Sequence, residues 1–292
     1  MNILTFDIEE WAIDKSRGVK DSRIYAEYDS YLNRILDALD ERRFKGTFFC
    51  TGMMARDFPQ VVKLIHSRGH EVGCHSFKHS WLNTMSVEEV QEDTKVSVDA
   101  LEQCIGQKVL SYRAPAFSIG KDNKWAFEIL AQNGITRDAS VYPAVRDFGG
   151  FAQFGEKIPT RVYCDRALFK EFPVCTTTLF GHELAYSGGG YFRFFPLSFV
   201  KKEMSKTDYS MSYFHIGELV PGLSGIMNKE TFEKYYKIPG TLKNRTLRYV
   251  KTNLGKKSAF GKLLSLIATE EFVNLEQADK IIDWEKAPSV VL

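Results

Sequence analysis

The chain has 292 residues, 44% hydrophobic, 13% aromatic and 26% charged. That balance excludes a disordered or collagenous chain and supplies a core for one large α/β domain with an appendage, or for two modest domains. With 39 Lys and Arg against 37 Asp and Glu, the formal charge of +2 argues against a globally basic nucleic-acid binder.

The start, Met1-Asn2-Ile3-Leu4-Thr5-Phe6-Asp7, lacks the basic region and long apolar run of a secretory signal, and no later stretch approaches the roughly 18 apolar residues of a membrane span. The expectation is a cytoplasmic protein. Residues 2–8 form a short apolar run with β-branched residues, suiting a buried strand, and residues 28–41 carry Tyr31, Leu32, Ile35, Leu36 and Leu39 at helical spacing. A strand over 45–50 follows, then a helix over 58–67 ending before Gly69 and a strand over 70–74 whose exit delivers His75. Ser86 and Glu89 form a capping-box pattern ahead of a helix to about Cys104. Strands over 108–113 and 135–140 flank a helix over 125–132.

This order implies parallel strands with helices outside, in an open doubly wound sheet or a barrel. No GxGxxG or GxxxxGK[ST] follows a strand, which favours the barrel. Residues 144–193 loosen into Gly- and aromatic-rich loops, including Ser187-Gly188-Gly189-Gly190-Tyr191-Phe192-Arg193, and residues 211–215 are a last apolar strand. The five cysteines, Cys50, Cys74, Cys104, Cys164 and Cys175, show no CxxC spacing, so buried free thiols are expected rather than disulfides or a metal cluster.

Beyond Gly222 the composition shifts. Residues 228–262 carry about +8, leaving about −6 for the rest. Leu263, Leu264 and Ile267 suggest a docked helix. The expected division is a barrel over 1–222 and a basic, mainly helical extension over 223–292 packed on it. The extension is either a solvated surface completing the domain or a patch attracted to an anionic membrane surface or a lipid-linked, phosphate-bearing glycan.

Four histidines lie close together: His66, His70, His75 and His79. His75 and His79 can share one cation if their segment leaves its strand in a helical turn, whereas His66, within a helix, and His70, opening a strand, read as structural. Asp7 and Glu9 project from one side of a strand's C-terminal end, where catalytic groups gather in parallel barrels; the alternative is a solvated acidic turn. Arg113 at another strand exit can hold a carboxylate by a bidentate bond. His215 ends an apolar strand and is poorly explained as a surface histidine.

In order, these residues are Thr5-Phe6-Asp7-x-Glu9, Thr47-Phe48-Phe49 with Gly52, Gly69-His70-Glu71-Val72-Gly73-x-His75-x-x-x-His79, Arg113-Ala114-Pro115, Asp138-Ala139-Ser140 and His215. The set resembles the polysaccharide deacetylase family, the NodB homology domain or carbohydrate esterase family four. The stretch 111–119, the later Gly188-Gly189-Gly190-Tyr191-Phe192-Arg193 and the basic extension look most like the bacterial subgroup found with exopolysaccharide and surface-glycan synthesis.

The resemblance implies a distorted (β/α) barrel with fewer than eight strands and metal-assisted removal of N-acetyl groups from an amino sugar in a polysaccharide or surface-glycan precursor. It implies a divalent metal, Zn2+ first, with Co2+, Ni2+ or Mn2+ as alternatives, on His75, His79 and Glu9, with Glu10 as the alternative carboxylate. It gives Asp7 as base, Arg113 as its orienting partner, His215 as acid and Asp138 as the carboxylate holding His215 charged. Ala116, Phe117, Tyr142, Tyr191 and Arg193 are the implied substrate contacts; the partner is an N-acetylated saccharide, not nucleic acid.

Two departures stand out. Asp7-Ile8-Glu9-Glu10 replaces the family's adjacent aspartates, which implies a metal slightly displaced or more loosely held. His215-Ile216-Gly217-Glu218 replaces the subgroup's His-Pro-Trp-Glu, removing an aromatic wall. Two other readings remain: a metal-independent, allantoinase-like C–N hydrolase, against which the His75/His79 pair speaks, and a catalytically inactive glycan-binding barrel.

Overall fold

Ile3, Leu4, Phe6 and Ile8 are fully buried on both faces of the first strand, as a strand inside a helix-wrapped parallel sheet requires. In the computed structural model, which describes residues 1–146, 149–164, 167–179, 181–222, 225–236 and 238–292, that strand is β1 (Asn2–Ile8). It is followed in sheet order by β2 (Thr47–Cys50), β3 (Glu71–Cys74), β4 (Ser111–Tyr112) and β5 (Arg137–Asp138), all parallel. Helices α1 (Glu10–Ser16), α2 (Ser22–Glu41), α3 (Gly52–Asp57), α4 (Pro59–Ser67), α5 (Val87–Ile105) and α6 (Ala126–Gln132) connect them. The capping box at the start of α5 forms as its sequence predicts, and the helix stops at Gly106 in the left-handed region, φ 71°.

β6 (Thr160–Cys164) and β7 (Ala167–Glu171) pair antiparallel, with β7 beside β5, and β8 (Thr177–Leu179) and β9 (His182–Leu184) form a separate ribbon. Helices α7 (Gly189–Phe194) and α8 (Leu197–Met204) lead to β10 (Ser210–His215), which pairs with the free side of β1. The sheet order β10-β1-β2-β3-β4-β5-β7 is thus seven parallel strands, the distorted barrel expected, and β6 with the final strand extends it. It curls enough for Arg113, after β4, to reach Thr5 on β1 and Met211 on β10.

The glycine run expected as loop instead opens α7. A Cβ at Gly188 would overlap the Tyr213 ring, so the glycine lets the chain cross β10 closely; Phe192 then packs edge-on against Phe214, with ring centres 4.8 Å apart.

The extension supplies α10 (Lys229–Tyr236), α11 (Leu242–Asn253), α12 (Lys256–Thr269), α13 (Leu275–Ile281) and β11 (Ser289–Val291), preceded by the short α9 (Ile216–Leu219). Leu263 and Ile267 are buried with Phe260, whose ring meets Tyr31 of α2 at 4.5 Å. β11 pairs with β6, and the start of α13 donates to the barrel floor, Leu275 N to Thr47 Oγ1 at 2.8 Å and Glu276 N to Glu71 Oε2 at 2.9 Å. Residue 223, where the extension was expected to begin, and Lys237 of its basic stretch lie outside the described residues. All five cysteines are free thiols, and among the described residues no helix is long and apolar enough to cross a membrane.

Candidate active site

Parallel strands deliver their exits to one end of the sheet, and there β1, β3, β4 and β10 place Asp7, Glu9, His75, His79, Arg113 and His215. Glu9 sits at the N-cap position of α1 without capping it, and its carboxylate turns to the mouth, where Oε2 lies 3.2 Å from His75 Nε2 and 2.8 Å from His79 Nε2. One ligand atom from each of the three residues lies within 4.8 Å of the others.

The two imidazoles meet without the expected helical turn. Residues 75–79 form an irregular loop with Ser76 and His79 in the left-handed region, φ 60° and 59°. Its strain is held from several sides: Gly52 N and Met53 N donate to the carbonyls of Ser76 and Phe77, and Phe77 N donates to Asp93 Oδ1 at 2.9 Å. His75 Nδ1 lies 2.7 Å from the Arg113 carbonyl, to which only a protonated Nδ1 can donate. Nε2 is left with a lone pair aimed at a carboxylate, and neither His75 Nε2 nor Glu9 Oε2 has a hydrogen-bond partner. Buried lone pairs facing one another repel unless a proton or a metal cation stands among them, and one carboxylate with two imidazoles is a donor set for a divalent transition metal. Glu10 is not in this group. Its Oε1 accepts from Gly217 N at 2.5 Å, and burial beside Glu9 pushes its carboxyl up to about 8.

Arg113 is fully buried and crosses the barrel interior. Its Nη1 donates to Asp7 Oδ1 and Thr5 Oγ1, both at 2.9 Å, while Nη2 turns to Met211 Sδ. The bond to Asp7 is therefore single rather than bidentate, and Oδ2 is left 3.5 Å from His215 Nε2. Burial pushes Asp7 up, but Arg113 and then His75 and His215 outweigh it and hold the carboxyl below the usual range.

Asp138 is placed differently from expectation. It accepts from Ser140 N at 3.0 Å and Ser140 Oγ at 2.7 Å, and Ser140 Oγ in turn accepts from Ala114 N, so Asp138 shapes the Arg113-Ala114-Pro115 loop. The carboxylate beside the acid histidine is Glu218, with Oε2 3.5 Å from His215 Nδ1. Burial disfavours the charged imidazole, but Glu218, then Glu9 and Asp7, outweigh it and raise His215 well above its ordinary value. The signal was a three-residue spacing that brings side chains together across the turn of α9.

The expected substrate contacts divide. Ala116 and Phe117 both adopt φ 54°, and Phe117 packs with Tyr142 and Tyr213 in a small buried cluster over which Arg146 lies, 4.6 Å from the Tyr142 ring centre. Tyr142 Oη accepts from Ala185 N at 3.0 Å, and Tyr191 is part-exposed, stacked on Phe195. Arg193 turns inward. It donates to the carbonyls of Lys251 and Thr252 at the C-terminal end of α11 and lies 4.0 Å from Glu218, because a helix's last carbonyls attract a cation. A residue the sequence did not single out is Tyr235 of α10, whose ring meets Trp81 edge-on at 6.0 Å and which lies close enough to Glu9 to feel its charge.

The profile of the polysaccharide deacetylase family matches residues 3–137, and a domain of unknown function, DUF3473, matches residues 139–280. Glu9, His75, His79, Asp7 and Arg113 thus fall in the first region and His215 and Glu218 in the second. The chain is 32% identical to the peptidoglycan-N-acetylmuramic acid deacetylase PdaA of Bacillus subtilis over 33% of its own length and 38% of that protein's. It is 27% identical to a chitooligosaccharide deacetylase of Rhizobium leguminosarum bv. trifolii over 43% of its length and 58% of the relative's. Both matches span less than two thirds of the relative. The fold is that of a proposed polysaccharide deacetylase from Mycobacterium smegmatis, whose crystal structure superposes with a TM-score of 0.62 at 16% identity, over 100% of this chain and 92% of the other.

Proposed function

The chain belongs to the polysaccharide deacetylase family through residues 3–137, and from that premise we propose that it is a metal-dependent hydrolase that removes N-acetyl groups from an amino sugar in a polysaccharide or surface-glycan precursor. The observation that carries this reading is the convergence of unpartnered Glu9 Oε2 and His75 Nε2 with His79, beside Asp7 and His215.

Glu9, His75 and His79 would hold the divalent ion, Zn2+ first among the candidates. Such an ion lowers the pKa of a water molecule toward neutrality and polarises an amide carbonyl, both of which an unreactive acetamide requires. Asp7, kept ionised by Arg113 through Oδ1, has Oδ2 free to take the proton of the attacking water. His215, kept charged by Glu218, gives its proton to the departing sugar nitrogen; without that proton the tetrahedral adduct expels hydroxide instead of the amine. A groove of about 450 Å3 begins at Trp81, two residues past His79, and runs over Asn83, Asn123 and Arg146. Its size and its mixed polar and apolar lining suit a saccharide.

The test is acetate release from chitooligosaccharides and peptidoglycan fragments by chelator-treated protein. Release should stop after metal removal and return with Zn2+; undiminished release from fully stripped protein contradicts the proposal.

A further inference from the structure

Helix α11 is built inside out. No residue along it is buried. The side chains turned toward the rest of the protein are polar: Asn244 Nδ2 donates to the Pro239 carbonyl at 2.8 Å, Arg245 Nη1 to the Met227 carbonyl at 3.1 Å and Arg248 Nε to Tyr236 Oη at 2.9 Å. The apolar ones face solvent, with Leu242 66%, Leu247 51%, Val250 47% and, just past its end, Leu254 52% exposed. Leu247, Val250 and Leu254 follow one another at helical spacing, so they make a continuous stripe. The helix is held firmly, with Thr241 capping its start and Arg193 gripping its last carbonyls.

Along the chain, the charge flanking the stripe has one sign. Residues 234–269 contain nine Lys and Arg and no Asp or Glu. Lys243 and Lys251 are exposed on the same side as the apolar residues, and among the described residues no base from 243 to 262 enters an ion pair. A second copy of the chain is a poor cover for this face, because Lys243 and Lys251 would meet their own counterparts. An apolar stripe framed by unneutralised bases, on a helix too short and too polar to span a bilayer, is the signature of a helix lying in the plane of a membrane interface.

We propose that α11 docks the protein on an anionic lipid surface, with Leu247, Val250 and Leu254 entering the headgroup boundary and Lys243 and Lys251 facing lipid phosphates. The proposal is independent of the deacetylase reading.

The test is flotation of the full chain with vesicles of phosphatidylglycerol mixed into phosphatidylcholine, against phosphatidylcholine alone. Binding is expected only with the anionic lipid and should weaken with salt. Each base near such a surface contributes about fivefold, so the Lys243→Gln, Lys251→Gln double variant should bind about 25-fold more weakly. The Leu247→Glu, Val250→Glu variant should not float, and both variants should unfold thermally like the parent because these side chains are exposed. Equal binding to both vesicle types, or variants that float like the parent, overturns the proposal. So does a dimer in sedimentation that Leu247→Glu dissociates while vesicle binding is absent.

Discussion

The two ends of one sheet hold comparable sets of charge and treat them in opposite ways. At the floor, Glu71 accepts from Thr47, Ser111, Arg137 and the backbone of Glu276, and Asp279 takes Lys170, Trp284 and Arg137. At the mouth, His75 Nε2 and Glu9 Oε2 face each other with no hydrogen-bond partner. Charge alone therefore does not mark a site. What marks the mouth is that unmet groups from separate elements, Glu9 and His75 with His79, face one another at one point, where a bound species can supply what is missing.

The comparison predicts that mouth substitutions cost rate and floor substitutions cost stability. Asp7→Asn and His215→Ala should lower acetate release about 10²–10⁴-fold in a protein that still folds. A loss of folding as large as the loss of rate would break the distinction. At the floor, Glu71→Ala leaves the Arg137 guanidinium without its main partner and should cost about 3–5 kcal/mol in denaturant unfolding, with acetate release per folded molecule unchanged.

Smaller effects sharpen the boundary between the two regions. Glu218→Gln removes the anion beside His215, so kcat should fall about tenfold with KM little changed. The alkaline limb of the pH–rate profile should move to lower pH, since His215 then loses its proton sooner. His70, near the floor, is the smallest case. Burial lowers its imidazole from 6.5 to about 4, so its neutral form contributes stability that is complete above about pH 6.5 and is lost as pH falls toward 4. His70→Gln, which keeps an acceptor for Gly46 N, should therefore lose about 1 kcal/mol less than the parent between pH 7 and about pH 5.5.

Much of the barrel was legible because parallel strands buried on both faces read as short apolar runs and their exits share one end. Asp7, His75, Arg113 and His215 each follow such a run, which is why sequence order alone pointed to their meeting. The expected helical turn at 75–79 was absent because contacts from α3 and α5 hold two left-handed residues there, and no local pattern announces them. Asp138 was expected beside His215, where Glu218 stands instead, for a similar reason. Only the folded chain reveals that Ser140 satisfies the first and that His215 faces the second. Arg193 looked free to meet substrate, yet its partners are carbonyls nearly 60 residues on. In α11 the basic charge was legible, but not the apolar stripe that faces outward beside it.

The most direct measurement of the central claim is a calorimetric titration of chelator-treated protein with Zn2+. The parent chain and the Glu71→Gln floor variant should each bind one ion, and a His75→Ala, His79→Ala variant should bind none. No binding by the parent, or undiminished binding by the double variant, would contradict the assignment of the mouth as the metal-holding end.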